Sequence, residues 1–119
     1  MSALAHPPAE PTRSYASAVL TEVRFGDGIR SYLERIDATL APFDGRFLIH
    51  GGLDAEVEGS FPGDLILIEF PTPDGARRWY ESAAYQAIIG LRADNSEGSL
   101  ALFHGVEQPH RATDILAAG

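Results

Sequence analysis

The stretch from Asp64 to Arg92, DLILIEFPTPDGARRWYESAAYQAIIGLR, constrains the chain more than any other. It opens with four consecutive apolar residues, Leu65 to Ile68, followed by Glu69 and Phe70. So short a run, rich in Ile and stopped by Pro71, predicts a strand, and its unbroken apolarity predicts that both faces are covered. Alternation places Leu65, Leu67 and Glu69 on one face and Ile66, Ile68 and Phe70 on the other. A helix should follow, with Thr72 at its N-cap, Pro73 at its first position and Asp74 in its first turn. Ala76, Trp79, Tyr80, Ala83, Ala84, Ala87, Ile88 and Leu91 then recur at helical spacing. Ser82 can cap a second short helix from Ala83, which predicts a kink. Asp94, Asn95, Ser96 and Gly98 read as a turn.

The rest of the chain supplies three strands and one helix. Tyr15 to Phe25 alternates as a strand, with Tyr15, Val19, Thr21, Val23 and Phe25 on one face and Ala16, Ala18, Leu20, Glu22 and Arg24 on the other. Asp27 is the expected N-cap of a helix marked by Ile29, Tyr32, Leu33, Ile36, Leu40 and Phe43 and closed by Pro42. Gly45 to Gly52 is the second strand, with Phe47 and Ile49 on one face and Arg46, Leu48 and His50 on the other. Alternation resumes in Leu53, Ala55 and Val57, so Gly51-Gly52 predicts a bulge or bend in one long strand. Ser99 to Val106 is the last strand, with Leu100, Leu102, His104 and Val106 on one face.

The resulting order, βαββαβ, is that of a ferredoxin-like α+β plait: a four-stranded antiparallel sheet, order 4-1-3-2, with two helices on one face. The proline-bearing segment 1–14 reads as a flexible N-terminal arm, 15–107 as the domain, and 108–119 as a C-terminal tail with a short helix around Ala112 to Ala117. Because strands apolar on both faces carry helices on only one, the open face needs a cover. A second copy packed sheet against sheet is the economical one, so a homodimer through the open sheet face is expected.

Composition excludes several classes of function. The chain has 119 residues, no cysteine, nine Arg, no Lys, 17 acidic residues and a net charge of −8. Without cysteine there are no disulfides, iron–sulfur clusters or cysteine nucleophiles. The acidic balance opposes nucleic-acid and anionic-membrane partners. No run is long enough to cross a bilayer, the N-terminus does not have the form of a signal peptide, and a cytoplasmic location is expected.

The motifs GRFLIHGG, Glu58-Gly59, IEFP at Ile68 to Pro71, and WYESAAYQAIIGLR from Trp79 to Arg92 resemble the domain-of-unknown-function family DUF1330 over about Ser17 to Val106. That family is similar to the dimeric α+β barrel proteins, which include cofactor-free monooxygenases, dehydratases and isomerases. The resemblance implies Arg46, Gly51, Gly52, Glu58, Gly59, Glu69, Phe70, Trp79, Tyr80, Ser82, Tyr85 and Arg92 as signature positions. His50, Phe61, Ala83 and Asp44 depart from the family's usual residues.

Candidate chemistry follows from the charged and aromatic residues. Arg46 and Glu69 lie on neighbouring strands, about 5 Å apart, as an ion pair for the sheet or an anchor for a substrate carboxylate. Trp79, Tyr80 and Tyr85 are core aromatics or the wall of a cleft between helix and sheet, where Tyr80 or Tyr85 would stand beside Arg46, Glu69 or Arg92. Arg92 is a helix-end cation or a ligand clamp. In an enzyme reading, Arg46 and Arg92 orient an anion and Glu69 or His50 moves a proton. His50 and His104 fall on opposite sheet edges, about 15 Å apart, and no metal-ligand spacing occurs. Neither a metal site nor a cofactor is expected. Two functions follow: a homodimeric binder of a small organic acid or aromatic molecule, with cofactor-free oxygenase- or isomerase-like activity, or a non-catalytic binding or assembly module whose polar residues only hold the fold.

Overall fold

The computed structural model describes residues 12–117. Four strands form one antiparallel sheet: β1 (Ser14–Val23), β2 (Arg46–His50), β3 (Asp64–Phe70) and β4 (Ser96–His104). Their order is β2-β3-β1-β4, the 4-1-3-2 plait read from the other edge. Helix α1 (Asp27–Leu40) joins β1 to a 3-10 turn at Ala41–Phe43. Three short helices, α2 (Gly75–Glu81), α3 (Ala83–Gln86) and α4 (Ile89–Ala93), join β3 to β4, and α5 (Asp114–Ala117) lies in the tail. The arm expected over 1–14 falls outside the described residues except for its last three positions, and Ser14 already belongs to β1.

The core lies between the sheet and the helices on one of its faces. Tyr32, Ile36 and Leu40 of α1, Ala76 and Trp79 of α2, and Tyr85 of α3 pack on Ala16, Ile68 and Phe70. Trp79, Tyr85, Phe70 and Ile88 are the largest fully buried side chains. The buried Trp79 Nε1 donates to Thr39 Oγ1 at 2.9 Å, and Thr39 donates onward to the Ile36 carbonyl at 2.6 Å, so this large apolar group carries no unpaired donor into the core.

Several local expectations are corrected. The helix after β3 begins at Gly75, not Pro73, because Thr72 donates to Asp74 Oδ1 and the segment closes as a turn, Gly75 N–H to Thr72 C=O. Its cap comes from across the sheet: buried Ser14 accepts from Ala76 N–H at 2.9 Å and donates to the Thr72 carbonyl at 2.7 Å. Likewise Gly26, not Asp27, occupies the N-cap position of α1, and Asp27 is its first residue. The helix closes at Leu40, and Pro42 sits in the 3-10 turn that follows. The kink at Ser82 is present, with Ser82 Oγ accepting from Tyr85 N–H at 3.2 Å; a second break at Ala87–Ile88 separates α3 from α4.

Strand boundaries and faces also shift. β4 runs from Ser96 to His104 rather than Ser99 to Val106. β2 stops at His50, since Gly51 and Gly52 both adopt positive φ (75° and 73°), a left-handed conformation that cannot extend a strand. Leu53, Ala55 and Val57 are therefore loop. The bulge sits instead between Phe47 and Ile49, where Leu48 has no partner. That one extra residue reverses the expected faces: Phe47 pairs with Ile68 and His50 with Ile66, so both face the helices, while Ile49 pairs with Leu67 on the open face. A second irregularity at Thr21 carries Val23 and Phe25 to the helix side, into the same cleft as Leu20 and Ile29.

Candidate functional site: a helix-side cleft with a half-buried guanidinium

The sheet sorts the candidate residues into two groups. Across the open face, register lines up Arg46, Glu69, Tyr15 and Phe103, one from each strand in turn. Arg46 grips Glu69 Oε1 through Nε at 2.9 Å and Nη2 at 2.8 Å, Arg13 approaches the same oxygen at 3.7 Å, and Tyr15 donates to Oε2 at 3.2 Å. Burial alone would raise the Glu69 carboxyl, but the hydrogen bond and charge of Arg46, with help from Tyr15 and Arg13, outweigh it and hold the carboxyl below its ordinary value. Both carboxylate oxygens are satisfied. A paired, ionised carboxylate with its lone pairs occupied is a sheet tie, poorly disposed to take a proton from a substrate.

The other group lies under the helices. Rows Phe47–Ile68–Ala16–Leu102 and His50–Ile66–Ala18–Leu100 cross the helix side of the sheet. The central strand contributes only alanines to these rows, and α1 cannot fill the space above them. What remains is a cleft of about 300 Å³, lined by Ala16, Ala18, Ile29, Ile36, Phe47, Ile66, Ile68 and Trp79, with exposed Phe25 and Leu33 also on its walls. The volume is at the small end of ligand-binding clefts, roughly 300–1,000 Å³.

Few polar side chains line this apolar space: Tyr32, Arg92, His50 and Asp64, while Ser17, opposite Leu67, turns its side chain to the open face. Arg92 lies in the last turn of α4 and is half-buried, and its Nε is enclosed without a hydrogen-bond partner among the described residues. Among the described residues no carboxylate pairs with it. Burial works to lower its pKa, but the Tyr85 and Tyr32 hydroxyls that it faces outweigh this and leave it raised, so it keeps its charge. Tyr32 and Tyr85 share a hydrogen bond of 2.8 Å, and Arg92 stands 6.0 Å from the Tyr32 ring centre. His50 lies flat on Phe47, ring centres 4.8 Å apart.

The grouping differs from the one expected. Arg46 and Glu69 are on the open face, separated by the sheet from Tyr80, Tyr85 and Arg92. Trp79 forms part of the cleft wall while remaining buried in the core. Tyr85 is fully buried behind Tyr32 and reaches the cleft only through it. Tyr80 is half-buried against Trp79 and Tyr85, at 6.5 and 5.7 Å, outside the cleft. In the sequence Tyr32 belongs to the apolar stripe of α1; the signal that marks it is a tyrosine at a core position, whose hydroxyl needs a partner. His50 and His104 do lie on opposite edge strands. No group of three or more metal-ligating side chains occurs among the described residues, nor is any helix there long and apolar enough to cross a membrane.

The Glu69 tie has a pH signature. A carboxyl with depressed folded-state pKa contributes stability above its unfolded value, and that contribution fades as pH falls through the folded value. The unfolding free energy of wild type should exceed that of Glu69→Gln by about 1–2 kcal/mol at neutral pH. The gap should close as pH drops below the ordinary carboxyl value of 4.5. Urea titrations at stepped pH measure it, and a pH-independent gap would contradict the ion-pair role.

Similar solved structures include the RPA0582 protein of unknown function from Rhodopseudomonas palustris, with a TM-score of 0.60 at 10% identity over 83% of this chain and 86% of that one. The methylated form of RPA0582 gives a TM-score of 0.61 at 9% identity, covering 87% of each chain. At such identity the likeness shows a shared fold. SnoaB, a cofactor-independent oxygenase from Streptomyces nogalater, aligns with a TM-score of 0.48 at 16% identity, over 86% of this chain and all of that one. No curated protein matches the sequence. The sequence model of DUF1330, a domain of unknown function, matches residues 13–106, from the residue before β1 to just beyond β4, and the chain belongs to that family.

Proposed function

We propose that the protein binds a small organic acid or aromatic molecule in the helix-side cleft, with Arg92 as its polar anchor. The observation that carries this reading is a half-buried guanidinium in the wall of an otherwise apolar space, with no carboxylate partner among the described residues. A guanidinium with no carboxylate beside it offers a ligand anion charge-assisted hydrogen bonds, about twice as strong as neutral ones. The walls of Ile, Phe and Trp suit a flat, compact hydrocarbon frame. His50 is the imidazole in the same cleft, so movement of a proton from a bound enol, phenol or acidic C–H falls to it, with Arg92 offsetting the negative charge that develops. Isomerase-like and cofactor-free oxygenase-like reactions both begin with such a deprotonation. Glu69 and Arg46, on the other face, hold the sheet.

The open face supports a homodimer as the assembly in which this cleft works. Ile49, Leu65, Leu67, Val19 and Phe103 share that face, and Ile49 and Phe103 are 37% and 55% exposed. Arg13 and Arg46 gather on Glu69, and Arg24 on the paired Glu22 and Glu97, so the charges of this face largely cancel although the chain is acidic overall, and two copies approach with little of the repulsion that the rest of the surface imposes. The same face is what favours the second reading, a non-catalytic assembly module whose polar residues serve the fold.

Two measurements test these readings. A ligand at ten times its dissociation constant stabilises the fold by about 1.4 kcal/mol. Thermal unfolding with benzoate, salicylate and 2-naphthoate should show a rise in Tm for at least one, retained in Arg46→Met and lost in Arg92→Met. No rise with any of the three, or an equal rise in Arg92→Met, contradicts the cleft reading. Sedimentation velocity should give a dimer for wild type and a folded monomer for Phe103→Glu, since that ring is already half-exposed in one copy. A wild-type monomer contradicts the assembly.

A further inference from the structure

The buried hydroxyl pair Tyr32–Tyr85 fixes what kind of ligand atom the cleft receives. Two hydroxyls 2.8 Å apart bring two protons to one hydrogen bond, so one proton must find another acceptor. Tyr85 is fully buried, and among the described residues the Tyr32 oxygen is the acceptor within reach of its proton, since Arg92, which also faces it, only donates. If Tyr32 donated to Tyr85, the Tyr85 proton would be stranded where neither protein nor water can accept it. The satisfied arrangement has Tyr85 donating to Tyr32, which leaves the Tyr32 proton free. Of the two tyrosines, Tyr32 is the one that lines the cleft. Its free proton and the Arg92 guanidinium, which faces the oxygens of both hydroxyls, thus belong to the same wall, and among the described residues no carboxylate pairs with Arg92.

From this donor excess we infer that Tyr32, held by Tyr85, and Arg92 form an oxyanion-binding site, selecting a deprotonated oxygen (carboxylate, phenolate or enolate) over its conjugate acid. A protonated oxygen would bring a further donor to a place already short of acceptors, whereas an oxyanion accepts both. Burial, with Tyr85 beside it, raises the Tyr32 phenol far above its ordinary value, so Tyr32 keeps its proton and remains a donor. The inference rests on the cleft reading above and adds the protonation state of what the cleft holds.

4-Nitrophenol separates the two readings, because its phenolate absorbs in the visible and its pKa lies near neutrality. Titrated into the protein slightly below that pKa, it should bind as the phenolate. An anion preference of at least about tenfold lowers the pH midpoint of the bound form by about one unit. Tyr32→Phe should still bind the ring but lose most of the preference, and Tyr85→Phe, which keeps the Tyr32 donor but not its support, should lose less. Tm values for both variants confirm that they are folded. 4-Nitrobenzoate, always anionic at this pH, should compete for the same space and reports whether a carboxylate is accepted as well. Binding as the neutral phenol, or an anion preference unchanged in Tyr32→Phe, overturns the oxyanion site and leaves the cleft reading standing. Absence of binding by both probes overturns both.

Discussion

Antiparallel registration of β3 against β1 and β2 is the constraint from which the rest follows. Side chains of a strand alternate, so fixing one residue fixes the face of all the others. Once Ile68 lies in the core opposite Ala16 and Phe47, Glu69 has to lie on the open face opposite Tyr15 and Arg46. The carboxylate most suggestive of catalysis in the sequence is thereby separated from the aromatic cluster, and each set of polar groups solves its own pairing. On the open face three donors saturate one carboxylate. Under the helices two tyrosines and an arginine meet no carboxylate among the described residues.

The same register explains why there is a cleft. β1 is central, paired on both sides, and turns Ser14, Ala16 and Ala18 toward the helices. Ser14 is spent on joining β1 to the turn and helix after β3, which holds α2 and its Trp79 close to the sheet. The two alanines are too small to fill the space beneath α1, and the larger side chains around them, Phe47, Ile66, Ile68 and Trp79, form walls rather than a filling. A space of this kind is usually lost to closer packing. Here aromatic packing behind it, with Trp79 and Tyr85 ring centres 4.1 Å apart, braces one side and sets the position of Tyr32.

Much of this was legible in the residues. The apolar run of β3, the proline after it, the Ser82 cap and the two glycines led to the element order, the sheet order and the Arg46–Glu69 contact, because each is local or follows from one plait. What was not legible were single-residue irregularities. Leu48 looks like any strand residue, yet its bulge turns His50 from the face of Arg46 to the face of Phe47 and places it in the cleft. The unpaired residue at Thr21 does the same for Val23 and Phe25. Long-range partners were equally hidden: no local pattern says that Ser14 caps a helix 62 positions on, or that Tyr32 and Tyr85 meet across 53 residues. Legibility ended where chemistry depends on a pairing between distant segments.

That the working site lies under the helices, with the Glu69 cluster acting only as a tie, can be tested by mapping where a ligand lands. Amide and methyl NMR spectra recorded during titration with 2-naphthoate should shift at Ala16, Ala18, Ile66, Tyr32 and Arg92 and stay fixed at Tyr15, Arg46 and Glu69. Shifts centred on Tyr15, Arg46 and Glu69, with the alanines of β1 unmoved, would place the binding site on the opposite face and contradict the account.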